Sequence, residues 1–240
     1  MIISPDAYII LQWKWAKLNA TILFTWLIML LLVIFSQLIT RRLSSDEHLS
    51  RWQNLLEVLV DGLREQIAAV SRQDPHKYLD FIGTLFIFIA VSNLLTIIPG
   101  YVAPTGSLST TSGLATCVFL AVPIYGIQNQ GITGYLRHYI RPSIFMTPFT
   151  IIGEFSRTIA LSVRLFGNIM SGHIIIAILI SIVPFIFPVV MQALGLLTGL
   201  IQAYIFPVLA MVYIASGSRV YREKHDNQQQ TAQKEEQTHG

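Results

Sequence analysis

From Leu18 to Thr40 the chain carries no charged side chain. About 20 apolar residues of helix are enough to cross a ~30 Å hydrocarbon core. Four further stretches read the same way: Phe81–Pro99, about Leu114–Gln128, Phe149–Val183 and Val189–Ser216. Inside a bilayer every backbone N–H and C=O must find its partner within the protein, which for such segments means helix. The expectation is an all-α integral membrane protein with about five membrane-embedded helices. Composition agrees: 53% of the 240 residues are hydrophobic and 12% charged, where a soluble domain has roughly 25% charged. A soluble globular enzyme is not expected, and a disordered chain is excluded. The single cysteine, Cys117, rules out an internal disulfide framework and a cysteine-clustered metal site. No cofactor, metal or nucleic-acid partner is expected.

Residues 1–222 read as one membrane domain. The first span is not a cleaved signal, because its leader is long and Arg41-Arg42 follows it as a stop-transfer pair. The third span is short, and Pro123 predicts a kink within it. Of the 16 Lys and Arg residues, six lie between spans one and two, two between spans three and four, and four after span five. The opposite side has only Lys14 and Lys17. Positive loops stay cytoplasmic, so the N-terminus is expected outside and the C-terminus in the cytoplasm.

The first cytoplasmic connection has its own pattern. Leu49, Trp52, Leu55, Leu56, Leu59, Leu63 and Ile67 recur at helical spacing among acidic and basic residues. This predicts an amphipathic helix over about 46–70, lying on the membrane surface or against a partner. The 100–112 connection is uncharged and rich in Gly, Pro, Ser and Thr. Residues 223–240, rich in Gln, Glu and Lys, read as a disordered cytoplasmic tail.

The fourth span is too long for an upright helix. Its 35 residues, 149–183, contain no proline and would measure ~52 Å at 1.5 Å per residue. Fitting that into ~30 Å needs a tilt near ~55°, against a usual ~20°. The fifth span, with Pro207 as an expected kink, follows a tight turn at 182–188. Spans four and five should therefore form a long, steeply tilted hairpin.

Span four also holds Glu154, Arg157, Arg164, Asn168 and His173. A charge at the bilayer centre costs at least ~2.5–3.5 kcal/mol on insertion scales, so such residues face a partner or water. Arg157, Arg164 and Asn168 share one helix face, and His173 lies about 180° from Arg164. Glu154 and Arg157 fit either a local ion pair near the interface or an access pathway. His173 fits either helix packing or ion relay. Arg164 has no acid within four residues on its own helix and is too deep to snorkel.

Ser162-Val163-Arg164-Leu165-Phe166-Gly167-Asn168, followed by Met170-Ser171-Gly172-His173, resembles the signature of subunit a of the F-type ATP synthase membrane sector. Ile201-Gln202-Ala203-Tyr204-Ile205-Phe206 resembles that family's second signature, and Asn93-Leu94-Leu95 leading to Pro99-Gly100 its second-span ending. The resemblance covers roughly residues 20 to 216. It implies a stator beside a rotating ring of c subunits, each carrying one carboxylate, with two aqueous half-channels leading to that carboxylate. It also implies peripheral-stalk b subunits, other synthase subunits and membrane lipid as partners, in a bacterial or archaeal plasma (inner) membrane. By the resemblance, Arg164 is the essential arginine, and Asn168, His173 and Gln202 accompany it in ion translocation. Glu154, Arg157 and Asn93 are candidates for the access pathway. Two positions depart from the family pattern: Gly195 stands where some members have His or Glu, and Thr96 where some have Asp. The outer half-channel is thus poor in titratable groups. The strings Pro104-Thr105-Gly106-Ser107 and Glu154-Phe155-Ser156-Arg157-Thr158 suggest a divergent branch, with sodium as an alternative to the proton.

A different class remains open at this point: a secondary transporter or channel that uses Arg164 to bind an anionic substrate. The absence of an internal repeat counts against it. A membrane enzyme lacks its motifs, with no His-Glu-x-x-His and no Gly-x-Ser-x-Gly. A Walker-type phosphate loop is absent too, so nucleotide hydrolysis is not expected here.

Overall fold

The computed structural model describes residues 9–13, 16–40, 51–71, 74–98, 101–140, 147–182 and 187–239. Its helices are α1 (Ala20–Thr40), α2 (Arg51–Ser71), α3 (His76–Leu94), α4 (Leu108–Ile140), α5 (Thr147–Ile182) and α6 (Phe187–His239). All but α2 are long and apolar enough to cross a membrane. The chain is an all-helical integral membrane protein apart from one small feature, an antiparallel hairpin of β1 (Ile9–Trp13) and β2 (Ala16–Asn19). The expectation held no strand. Ile9, Ile10, Leu11 and Trp13 supply the β-favouring side chains, and Trp13 pairs with Ala16 at the tight end.

The core forms where α3 crosses α6. On α3, Tyr78, Ile82, Leu85 and Ile89 recur every three or four residues and are buried. On α6 the matching stripe is Ala203, Phe206, Ala210 and Ile214, again fully buried. The two alanines let the helices approach closely, as small residues do in membrane interfaces. α5 buries Leu161, Ser162, Leu165 and Ile169, while Ile152, Phe155, Ile159 and Val163 stay exposed. α1 is one-sided, with Ile28 inside and Trp26, Leu30 and Val33 outside. In a bilayer such apolar faces meet lipid or another chain.

The amphipathic helix finds its partner within the chain. α2 packs on α3 and α6 through buried Leu63 and Ile67. Its polar side carries an Arg64–Asp61 pair at 3.6 Å. Residues 46–50, the Arg41-Arg42 pair, Pro99-Gly100 and the 183–186 turn lie outside the described residues.

Several boundaries and breaks differ from the sequence expectation. The second span starts at His76, five residues earlier than Phe81, because Pro75 suits the position before a first helical turn. The third starts at Leu108 rather than Leu114. Its Ser/Thr-rich opening is compatible with a membrane helix because the hydroxyls bond the helix's own carbonyls. Thr111 donates to Ser107 O and Leu108 O, Ser112 to Ser109 O, and Thr116 to Ser112 O. The break in α4 falls at Gly131, with φ 72° and ψ 164°, and not at Pro123. A positive φ is open to glycine at little cost. α6 likewise passes through Pro207 as continuous helix. Its backbone stays helical to His239, where the sequence suggested a disordered tail. Gln, Glu and Lys are good helix formers, and extending an existing helix avoids the nucleation cost.

The largest surprise is the 101–107 segment. Read as a plain polar connection, it is instead buried from Ala103 to Ser107. A single 3₁₀ turn, Pro104–Gly106, folds it inward. Gly106 N–H donates to Ala103 O and Ser107 N–H to Pro104 O, both at 3.0 Å. With no charge to solvate and its backbone self-bonded, the segment can sit between α1, α3, α4 and α5.

Candidate functional site

Two asparagine amides grip α6 at adjacent carbonyls. Asn168 Nδ2 on α5 donates to Thr198 O at 3.1 Å. Asn93 Nδ2 on α3 donates to Gly199 O at 2.7 Å. The first bond sets the register of the α5–α6 hairpin. One turn from it along each arm, away from the hairpin turn, stand Arg164 and Gln202. Being equally far from one shared bond on antiparallel arms, they lie at the same level.

Asn93 is 1% exposed and doubly bonded, since its Oδ1 also accepts from Thr105 Oγ1 at 2.8 Å. Its side chain fills the space that a Cβ at residue 199 would need. A Cβ built on Gly199 would meet Asn93 Cβ at 3.2 Å and Asn93 Cγ at 3.3 Å. Gly199→Ala should therefore overpack this crossing and cost about 1–3 kcal/mol. The expected result is a lower melting temperature of the purified chain. An unchanged value would mean that the asparagine yields freely.

Towards the hairpin turn lies a cavity of about 210 Å³, lined among others by His173, Asn168, Gln192, Thr96, Tyr101 and Gly195. His173 is half-buried there, and the buried Gly106 packs beside it, its virtual Cβ 3.8 Å from the imidazole. Gln192 Nε2 donates to Thr96 O at 3.0 Å. Gln192 was not singled out from sequence, yet its signal was available: an amide in an otherwise apolar run is expensive unless paired. Thr96 and Gly195, the two departures from the titratable pattern, both face this cavity.

At the other end of α5 a smaller cavity of about 20 Å³ is lined among others by Glu154, Arg157, Thr158, Tyr213 and Ser216. The Arg157 guanidinium lies over the Tyr213 ring, 5.6 Å from its centroid, a cation–π contact. Arg164 stands between the two cavities. It is seven residues, or ~10.5 Å, from Arg157 and nine residues, or ~13.5 Å, from His173. Its side chain is exposed, and no described residue forms an ion pair with it. Gln202 is 5% exposed, and its Nε2 has no partner among the described residues.

The structure thus brings Asn93 and Asn168 onto one stretch of α6, with Gln202 one turn further along it and Arg164 at that level on α5. His173 lies outward of them, and Glu154 and Arg157 lie on the other side. No group of three or more metal-ligating side chains occurs among the described residues.

The chain is similar over most of its length to known proteins. Residues 22–215 match the family described as ATP synthase A chain. "ATP synthase subunit a 1" of Crocosphaera subtropica is 60% identical over 227 residues, covering 95% of this chain and 99% of that one. "ATP synthase subunit a" of Albidiferax ferrireducens is 59% identical over 224 residues, covering 93% and 97%. "ATP synthase subunit a 1" of Chlorobium luteolum is 56% identical over 223 residues, covering 93% and 100%. With the matched region reaching from α1 into α6, the chain belongs to the ATP synthase A chain family.

Proposed function

We propose that this chain is the non-catalytic stator of a rotary ATP synthase, passing protons or sodium ions between two half-channels and a neighbouring c-subunit ring. The observation that carries the reading is the pair of cavities along α5, each lined in part by polar side chains and separated by the level of Arg164. The His173 cavity serves as the outer half-channel and the Glu154–Arg157 cavity as the inner one. This follows if the N-terminus lies outside and the C-terminus in the cytoplasm of the plasma (inner) membrane, as the basic residues argue. α5 and α6 then lie steeply inclined along the ring, because 36 residues of α5 make ~54 Å of helix in a ~30 Å core. Peripheral-stalk b subunits hold the chain against the torque of rotation.

The chemistry needs an arginine between the cavities. A ring carboxyl can face lipid when neutral and not when ionised. A guanidinium beside it favours the charged form and lowers its pKa by ~1–3 units, so the ion leaves into one half-channel. Arginine stays charged at any working pH and holds its donors in a fixed fork. Its charge also repels a cation that would slip from one half-channel to the other. Asn168 and Gln202 can solvate the guanidinium without neutralising it.

A transporter with an arginine substrate site would work by itself. The test is reconstitution of the chain alone, and of the chain with a c-ring and its partner subunits. Alone it should carry no ion or solute flux; in the complex, ATP hydrolysis should drive ion uptake. Substrate transport by the isolated chain would overturn the proposal.

Arg157→Ala should be much milder than any change at Arg164, because a cation–π contact at such a site is worth only ~0.5–2 kcal/mol. ATP-driven pumping should stay within about tenfold of normal. A greater loss at Arg157 than at Arg164 would place the central charge at the wrong arginine.

A further inference from the structure

The β1–β2 hairpin precedes the first membrane helix and has no second layer packed on it among the described elements. Its main contacts are between its own strands and from β2 to α1, the next element in sequence. A lone two-stranded hairpin is marginal in water, so it needs a surface from outside this chain.

The register sorts its positions by face. Leu11 stands opposite Leu18, Gln12 opposite Lys17 and Trp13 opposite Ala16. Opposed residues share a face, and successive residues alternate between faces. Positions 11, 13, 16 and 18 therefore belong to one face, and positions 12 and 17 to the other. The first set is wholly apolar and the second is Gln and Lys. The ribbon is amphipathic.

Its depth follows from α1. The 21 residues of α1 rise ~31.5 Å against a hydrocarbon core of ~30 Å. The whole helix is needed to cross, so its first residue, Ala20, stands at one boundary of the core. β2 ends at Asn19, which starts the hairpin in the headgroup layer with no spacer. Charge points to the same layer. Lys14 and Lys17 are the only basic residues in the connections on this side of the membrane, and they lie within four residues of Trp13 and Trp15. Indole rings favour the membrane–water boundary, and ammonium groups there are attracted to anionic lipid.

We propose that the β1–β2 hairpin lies flat in the headgroup layer of the leaflet where α1 begins, with the 11–13–16–18 face toward the acyl chains and Lys17 toward phospholipid phosphate. In that position it fixes the depth of α1 and opposes its sinking or tilting. The occupant of the apolar face is lipid, because the hairpin continues directly from a helix whose length matches the core and its lysines are opposite in charge to phosphate.

The experiment uses the assembled complex, free of other reactive thiols, with Cys117→Ala in this chain. Nitroxide labels are placed singly through Leu11→Cys, Gln12→Cys, Lys17→Cys and Leu18→Cys. The complex is reconstituted in phosphatidylcholine vesicles with and without phosphatidylglycerol. Collision of each label with oxygen, which concentrates among acyl chains, and with a water-soluble nickel chelate is read by electron paramagnetic resonance. Labels at 11 and 18 should favour oxygen and labels at 12 and 17 the chelate, with the ratio differing at least about threefold between faces, as for an amphipathic element at the headgroup–acyl boundary. Lys17→Glu with the label at 18 should shift the ratio toward the chelate by several-fold when phosphatidylglycerol is present. Preference for the chelate at all four positions would mean that the hairpin stands in water. Labels at 11 and 18 that neither collider reaches would mean that another subunit covers the face. Either result, or a ratio that does not alternate, would overturn the proposal, and an unchanged ratio in Lys17→Glu would overturn the part given to charge. Label exposure is read without rotation or ion flux, so the outcome is independent of the role given to Arg164.

Discussion

Arg164→Ala should abolish ion-driven ATP synthesis while leaving the complex assembled. Among the described residues Arg164 makes no ion pair, and its side chain is exposed on α5 rather than packed in the core. Removing it therefore breaks little within this chain. What it removes is the fixed positive charge that ionises an arriving carboxyl. Losing a pKa depression of ~1–3 units lowers the ionised fraction by about 10- to 1,000-fold, and every ion that crosses must pass through that step. The same substitution lifts the electrostatic barrier between the half-channels, so passive leak should rise. Arg164→Lys should restore only part of the activity, because an ammonium lacks the planar fork and loses its proton more readily in an apolar seam. The measurements are ATP synthesis and passive ion flux in reconstituted vesicles. Near-normal synthesis by Arg164→Ala would contradict the mechanism.

The largest structural effect should come from Asn93→Leu. The substitution deletes the bond to Gly199 O and the one accepted from Thr105 Oγ1. Gly199 O can still serve the helix ladder of α6. Thr105, at 0% exposure, keeps a hydroxyl with its partner gone. Orphaning one buried polar group costs ~1–3 kcal/mol. The branched leucine must also fit against α6 where even a Cβ at residue 199 would be crowded. The sum should show as a marked drop in the amount of chain recovered in the membrane. Asn93→Leu with Thr105→Val should recover part of the loss, because both partners are then apolar. No recovery in the double variant would mean that the hydroxyl was not the source of the cost.

Much of this architecture was legible because a membrane simplifies the reading. An apolar run of 20 residues has one structural outcome, and α1, α3, α5 and α6 emerge from hydropathy alone. The stretch Leu108–Ser112 did not, since hydropathy scores a threonine as polar whether its hydroxyl faces water or bonds the carbonyl one turn back, as Thr116 does. Arg164 stood out because it has no acid within reach on its helix, and the register bond from Asn168 to Thr198 then gave its level relative to Gln202. The buried placement of Ala103–Ser107 was hidden for a different reason. Gly, Pro, Ser and Thr mark turns, but whether a turn sits in water or between helices depends on neighbours that are distant in sequence. Thr105 bonded to Asn93 and Gly106 packed beside Ile169 and His173 are contacts of that kind.

The Asn93–Gly199 bond spans 106 residues of sequence, which sets a timing problem during biogenesis. Ribosomes add roughly 5–20 residues per second, so α3 reaches the bilayer about 5–20 s before the carbonyl it must bind has been made. An amide without a partner in hydrocarbon costs several kcal/mol. Thr105 is only 12 residues downstream and arrives in about a second or two at the same rate. The inward turn of the 101–107 segment thus offers Asn93 an early companion. The α3–turn unit can wait in the membrane with half of its polar requirement met, and α6 completes the rest when it docks.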